Sequence, residues 1–140
     1  MTDIPQKFYR LFKGSKKAHG TFNIEKTADI KQKGTGKTIR SGCSELKHWE
    51  AHITGEYGLG VIPITEGNKV GWGCIDVDVY PLDLAHVVHL VENQDFPLVV
   101  CRSKSGGAHV FLFTQEPVPA GDMQDKLREL SAALGHGGVE

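Results

Sequence analysis

The chain has 140 residues and a net charge of -1, with 39% hydrophobic and 24% charged residues, the balance of a globular domain rather than a disordered chain. No apolar run approaches the roughly 18 residues that span a bilayer, and the N-terminus has no signal-peptide pattern, which predicts a cytoplasmic protein. The three cysteines lack CxxC spacing, which argues against a disulfide framework and a structural zinc site.

Charge is distributed unevenly along the chain. Residues 1–70 hold 12 Lys and Arg against 7 Asp and Glu, whereas residues 71–140 hold 4 and 10. The basic excess is concentrated in residues 7–40 and suits either a polyanion-binding surface or a solvated lysine-rich face. We consider seven side chains as nucleic-acid contacts: Lys13, Lys16, Lys17, Lys31, Lys33, Lys37 and Arg40.

The first half of the chain carries weak secondary-structure signals. Residues 5–12 have apolar side chains at helical spacing, and Pro5 suits a first helical turn. In chain order we predict a helix over 5–12, a strand over 18–24, a loop or hairpin over 26–42, a helix over 45–53 ended by Gly55, a strand over 59–64 and a turn over 66–68.

The second half is clearer. Residues 83–94 have apolar positions spaced as in an amphipathic helix, and residues 70–80 are rich in β-branched and aromatic side chains. In chain order we predict a strand over 70–80, a helix over 83–94, a buried strand over 98–102, a turn over 103–108, a strand over 109–113 and a helix over 122–134.

The β-α-β-β-α order of the second half is that of a ferredoxin-like βαββαβ unit up to its fifth element. Only residues 139 and 140 remain for a sixth element, so we expect the last strand to be missing. The fold class is therefore predicted as α+β, with a basic α/β module over residues 1–69 and an RRM-like module over residues 70–140.

Two carboxylates form the sharpest local feature. Asp76 and Asp78 are two residues apart in a predicted strand, so both should project from the same face. Neighbouring carboxylates repel each other unless a cation lies between them, and their hard oxygen atoms suit Mg²⁺ or Mn²⁺. Two solvated acids on an open sheet face are the alternative.

A second feature follows about 25 residues later. The stretch from Arg102 to Phe113 reads as a strand, a turn rich in glycine and hydroxyl groups, and a further strand that begins near His109. Hydroxyl and amide groups in such a turn can donate hydrogen bonds to phosphate oxygens, and its glycines permit a close backbone approach. Candidate nucleotide-binding residues are Ser103, Lys104, Ser105, Gly106, Gly107 and His109.

Ferredoxin-like topology predicts that these two features meet. The first and third strands of such a sheet are central neighbours, so Asp76 and Asp78 should lie beside His109. Carboxylates that hold a metal next to a turn that holds phosphate are what metal-assisted phosphoryl transfer needs. The residues 34–38 lack the first glycine of a P-loop, and the pairs His48/His52 and His86/His89 are better explained by packing or surface positions than by metal ligation.

The two motifs together resemble those of the archaeo-eukaryotic primase superfamily, the primase-polymerases, in its bacterial, phage and conflict-system members. The resemblance rests on Ile75-Asp76-Val77-Asp78 and on the stretch Ser103–His109, supported upstream by three stretches: His19–Phe22, Trp49–His52 with Gly55, and Gly58–Pro63. It thus covers most of the chain.

The resemblance implies a DNA primase or polymerase activity. Asp76 and Asp78 would hold catalytic Mg²⁺ or Mn²⁺, and Ser103, Ser105 and His109 would contact the triphosphate of an NTP or dNTP, with Lys104 as electrostatic support. The implied partners are a single-stranded DNA template and a helicase or C-terminal partner chain. The superfamily also has a third carboxylate motif downstream, which this sequence lacks, so we expect a fragment or one part of a split protein with weak activity alone.

Two other functions stay open at this stage. One is a non-catalytic module that binds single-stranded nucleic acid through residues 7–40 and is indifferent to the aspartates. The other is a glycosyltransferase that binds a nucleotide-sugar through a DxD motif, here Asp76 and Asp78. The short chain and the serine-bearing turn over residues 103–108 (the serine turn) count against it.

Overall fold

The computed structural model describes residues 3–24, 34–40 and 45–136. The chain divides into two compact units, Met1–Lys69 and Val70–Glu140. Three of the sequence features lie outside the described residues: Lys31 and Lys33 of the basic set, Cys43, and the last four residues, 137–140. Among the described residues, no helix is long and apolar enough to cross a membrane.

Two helices and three aromatic rings organise the first unit. Helix α1 spans Ile4–Leu11 and is capped by Asp3, whose carboxylate accepts a hydrogen bond from the Gln6 amide; helix α2 spans Leu46–Ile53. The indole of Trp49 stacks on the rings of Phe8 and Phe12, with centroids 5.5 and 5.8 Å away. Both helices are where the sequence predicts them, and the two phenylalanines cover Trp49, although Phe8 stays 36% exposed.

The sheet of the first unit has the order β2-β1-β3, with β1 over His19–Ile24, β2 over Gly34–Ile39 and β3 over Gly58–Gly60. Strands β1 and β2 pair antiparallel; of the loop or hairpin predicted over 26–42, residues 34–39 form β2, and residues 26–33 and 41–42 lie outside the described residues. The strand predicted over 59–64 is wrong in extent. The chain leaves the sheet after Gly60, and the Ile62 carbonyl accepts a hydrogen bond from the Ser15 amide rather than from a strand.

The second unit has the order β-α-β-β-α. Its elements are β4 over Lys69–Val77, α3 over Leu84–Asn93, β5 over Val99–Arg102, β6 over Ala108–Pro119 and α4 over Ala120–Ala133. The strands form one sheet in the order β4-β6-β5. The first and third strands of the unit are therefore neighbours, as expected, and the chain as a whole has the predicted α+β class. The finer RRM-like assignment stays a prediction.

One face of this second sheet packs on both helices. Ile75 and Val110 from the strands are 0% exposed and join Val87 of α3 and Leu127 of α4 in one apolar cluster. Burial alternates along β4 and β6, so every second side chain points to the other face. That alternation directs the polar side chains of the two motifs away from the core.

Two strand predictions need correction. Residues 98–102 are not a buried strand: β5 lies at the edge of the sheet, and Val99 is 50% exposed. Strand β4 ends at Val77 rather than continuing to Tyr80, so Asp78 lies one residue beyond the strand. A run of β-branched residues indicates a strand but not where its hydrogen-bonding partner stops.

Candidate metal and nucleotide site

Asp76 and His109 face each other on the neighbouring strands β4 and β6. Asp76 Oδ1 lies 3.5 Å from His109 Nε2, and both side chains are partly exposed. On the same strands, the Thr114 hydroxyl donates to the Gly71 carbonyl. From Gly71 to Asp76 the residue numbers increase along β4, whereas those of their partners on β6 decrease from Thr114 to His109. The two strands therefore run antiparallel. The predicted meeting of Asp76 with His109 is thus present.

The same register explains why β4 ends where it does. If Asp76 lies opposite His109, then Val77 lies opposite Ala108, which is the first residue of β6. The next residue, Asp78, faces the turn and has no strand partner there. Asp78 therefore lies beyond the strand pairing, and its carboxylate accepts a hydrogen bond from the Tyr80 hydroxyl.

Asp78 contacts the serine turn through a residue that the sequence motifs do not include. The Tyr80 hydroxyl lies 2.7 Å from Asp78 Oδ1 and 2.7 Å from Ser105 Oγ. Ser105 Oγ lies in turn 3.4 Å from Ser103 Oγ. Tyr80 continues the two-residue spacing of Asp76 and Asp78, and that spacing is the signal that points to it in the sequence.

The surroundings of Tyr80 act on its pKa in opposite directions. The hydrogen bond with Ser105 lowers the pKa, whereas the hydrogen bond to Asp78, burial and the charges of Asp78 and Asp76 raise it. The net result is a pKa above the usual tyrosine value of 10.0. Tyr80 is therefore a neutral hydrogen-bonding group at physiological pH.

The serine turn is closed by its own backbone. The Ser103 amide donates to the Gly107 carbonyl at 3.0 Å, and the Gly106 amide donates to the Ser103 carbonyl at 3.2 Å. Gly106 has a φ of 95°, a conformation that suits glycine. These two amides are therefore used within the turn, and the candidate donors to a phosphate are the hydroxyl groups, the Lys104 ammonium and the other amides of the turn.

A close backbone contact that the sequence does not reveal explains why position 107 is a glycine. A Cβ at this position would overlap the Val77 carbonyl oxygen and would approach Ser103 Oγ to 3.3 Å. The close contact at this glycine is therefore with the end of β4, whereas the close approach to a ligand expected from the sequence stays a prediction. It brings the serine turn against the segment that carries Asp78.

The flanking basic residues differ in orientation. Arg102 pairs with Ala108 across the hairpin, and Ala108 is 0% exposed and part of the apolar cluster. Because directly opposed residues share a face, Arg102 belongs to the helix side of the sheet, away from His109. Lys104 is exposed within the turn.

Two cysteines lie on the His109 side of the sheet. Cys101 pairs with His109, and Cys74 alternates with Asp76 along β4. Burial, followed by the charge of Asp76, raises the pKa of the Cys74 thiol to about 11. The thiol of Cys74 thus stays protonated at neutral pH, which removes it from nucleophilic chemistry.

The donor set fits a hard divalent cation. Asp76 Oδ1 is buried and makes no hydrogen bond, although His109 Nε2 lies 3.5 Å away; such an oxygen costs free energy unless a positive group approaches it. No cluster of three or more His, Cys, Asp or Glu that could hold a metal occurs within the described ranges. Two carboxylates suffice for Mg²⁺, which keeps several waters and takes its other ligands from substrate phosphates.

The basic candidates of the first unit lie on exposed positions. Lys13, Lys16 and Lys17 follow α1, while Lys37 lies on β2 and Arg40 just after it. Lys17 is 3.9 Å from Glu66, in an exposed ion pair. A pocket of ≈ 220 Å³ lies among them; it is lined by Tyr9, Phe12, Lys13, Gly14, Lys16 and Thr65.

Other sequence features of the first unit have structural roles. Residues 34–38, which superficially resemble a P-loop, lie within strand β2 rather than in a loop that leads directly into a helix, as a phosphate-binding loop does. His48 Nδ1 is 2.8 Å from the Tyr57 hydroxyl, and His52 Nδ1 accepts a hydrogen bond from the Leu59 amide. His48 is partly buried and His52 is exposed, so the two histidines occupy the packing and surface positions that the sequence predicts.

The chain is thus an α+β protein in which the neighbouring strands β4 and β6 bring an aspartate motif beside a serine–histidine motif. The family described as the archaeo-eukaryotic primase domain of the TOTE conflict system matches residues 8–135. The chain belongs to this family, as the resemblance implies. No curated protein matches the chain. Primase-polymerase function, divalent metals, and binding of nucleic acid and nucleotides are general properties of such domains.

Proposed function

We propose that the chain is the metal- and nucleotide-binding region of a DNA primase-polymerase, which transfers nucleotides from an NTP or dNTP to a primer or starting nucleotide. The observation that carries this proposal is the meeting of the two motifs at both carboxylates. Asp76 lies 3.5 Å from His109, and Tyr80 joins Asp78 to Ser105.

In this proposal, the two motifs divide the work. Asp76 and Asp78 hold the cation, while the hydroxyl groups of Ser103 and Ser105 and the ammonium of Lys104 bind the triphosphate. When bound, Mg²⁺ or Mn²⁺ supplies charge neutralisation at the phosphates and lowers the pKa of the attacking hydroxyl. His109 Nε2 lies 3.5 Å from Asp76 Oδ1, and in this proposal it orients a phosphate oxygen.

The template is proposed to contact the first unit. Lysines and aromatic rings are combined around the pocket at Tyr9 and Lys13, and this combination suits single-stranded nucleic acid, whose bases stack while its phosphates pair with cations. Lys31, Lys33, Lys37 and Arg40 extend the basic set along the sequence. A helicase or a C-terminal partner chain, and a carboxylate from such a partner, remain parts of this proposal.

The same surface supports a second candidate function, a module that binds single-stranded nucleic acid without turnover. The basic pocket favours it, because that feature needs neither aspartate. The two functions make opposite predictions for the carboxylates, so one pair of substitutions separates them.

Calorimetry of the full chain with ATP and dATP, in Mn²⁺ and then in EDTA, tests the primary proposal. We expect metal-dependent binding that weakens roughly 100-fold or more in Asp76→Asn with Asp78→Asn, because cation–phosphate attraction contributes several kcal/mol. Both aspartates are partly or fully exposed, so the variant should fold. Nucleotide binding that is equal in Mn²⁺ and EDTA would overturn the proposal and leave the non-catalytic module.

A further inference from the structure

Tyr80 lies outside both motifs but touches both of them. Its hydroxyl is 2.7 Å from the Asp78 carboxylate and 2.7 Å from the Ser105 hydroxyl. The side chain is 53% exposed, so the ring contributes little to the apolar core. Its position is defined mainly by these two hydrogen bonds.

The chemistry of the three groups fixes the direction of the bonds. A carboxylate only accepts, so the hydroxyl proton of Tyr80 goes to Asp78. The Tyr80 oxygen is then left to accept the proton of the Ser105 hydroxyl. One phenol therefore orients a carboxylate of the first motif and a hydroxyl of the second.

We propose that Tyr80 is a positioning residue that couples cation binding at Asp78 to triphosphate binding at Ser105. This inference rests on the proposed function and adds a residue to it. Hydrogen bonds from a second shell orient metal-ligating carboxylates and tune their affinity. Because the same hydroxyl also contacts Ser105, a cation held by Asp78 would neutralise the carboxylate and let the Tyr80 proton turn to Ser105 Oγ. The Ser105 proton would then be free for a phosphate oxygen.

Tyr80→Phe in the full chain tests this role, because it deletes the hydroxyl and keeps the ring. We expect Mn²⁺ titrated alone to bind about tenfold more weakly, the lower end of the usual effect of losing a second-shell partner. ATP in saturating Mn²⁺ should also bind more weakly. The unfolding temperature should not change, since the ring is largely exposed. Tyr57→Phe is the matched control, because Tyr57 bonds His48 in the first unit.

A double-mutant cycle with Ser105→Ala separates the two hydrogen bonds of Tyr80. In the Ser105→Ala background, Tyr80→Phe should no longer weaken ATP binding in saturating Mn²⁺, because residues in one network are not additive. Its effect on Mn²⁺ titrated alone should persist, because that effect acts through Asp78.

The possible failures are distinguishable. If the unmodified chain binds Mn²⁺ and ATP together and Tyr80→Phe matches it in both titrations, the positioning role is overturned and the proposed function stands. Additive effects of Tyr80→Phe and Ser105→Ala on ATP binding would overturn the coupling. If the unmodified chain shows no Mn²⁺-dependent ATP binding, the proposed function fails first and this inference with it.

Discussion

The two units are each built on a three-stranded sheet, but they use their strands differently. In the second unit, burial alternates along β4 and β6, so one face forms the core and the other presents Asp76 and His109. In the first unit, β2 is exposed along nearly its whole length and carries glycines and Lys37. Under the proposed function, nucleotide chemistry belongs to the second unit and the binding of single-stranded nucleic acid to the first.

The largest expected effect on folding stability concerns the close approach of the serine turn to β4. Gly107→Ala places a Cβ against the Val77 carbonyl oxygen, and overpacking of this kind costs about 1–3 kcal/mol. We expect a lower free energy of unfolding and at least tenfold weaker binding of Mn²⁺-ATP, measured by urea denaturation and calorimetry.

The matched control is Gly121→Ala, because nothing lies within 4 Å of a Cβ at Gly121 and the residue is in α4. This variant should bind nucleotide normally and should gain stability, by up to about 1 kcal/mol, from the helix propensity of alanine. Equal behaviour of the two alanine variants would show that the turn does not depend on its approach to β4.

An intermediate effect is expected at the basic surface of the first unit. Replacing Lys13, Lys16 and Lys17 by Gln should weaken binding of a single-stranded oligonucleotide. It should also reduce the slope of log affinity against log salt by about 2, since each lost phosphate contact contributes about 0.7. Fluorescence anisotropy at several salt concentrations gives both quantities.

Lys126→Gln in α4 is the control, since Lys126 pairs with Glu129 in the second unit. It should leave the salt slope unchanged. A triple variant with an unaltered slope would place the nucleic-acid contacts elsewhere and remove the division of roles between the units.

The smallest expected effect is a pH dependence of folding stability that arises from His19 in the first unit. His19 is 2% exposed, and its ring centroid lies 4.1 Å from that of His48. Burial, then the charges of His48 and Lys47, lower its pKa below 6.5. The unfolded chain therefore takes up a proton that folded His19 resists, so the stability present above pH 6.5 is lost as the pH falls through the folded pKa.

Thermal unfolding at pH 7.5 and pH 5.5 measures this effect as a loss of a few degrees on acidification. His19→Gln should flatten the dependence, whereas His86→Gln, at an exposed position of α3, should not. An unchanged pH slope in His19→Gln would assign the acid sensitivity to other groups.

Local patterns in the sequence predict the helices and the exposed face well, because both follow from periodicity. The spacing over residues 83–94 gives α3, and the alternation around Ile75 places Asp76 opposite the core. The end of β4 was not predictable, because it depends on where β6 begins. The exposure of β5 depends likewise on its edge position. Tyr80 was missed because its role comes from a residue 25 positions away, Ser105.

The division of roles is tested most directly by two titrations on Asp76→Asn with Asp78→Asn, one with ATP in Mn²⁺ and one with a single-stranded oligonucleotide in EDTA. We predict that ATP binding is lost while oligonucleotide binding equals that of the unmodified chain. Retained ATP binding, or the loss of both in a folded variant, would contradict a nucleotide site at the two aspartates that is separate from the nucleic-acid surface.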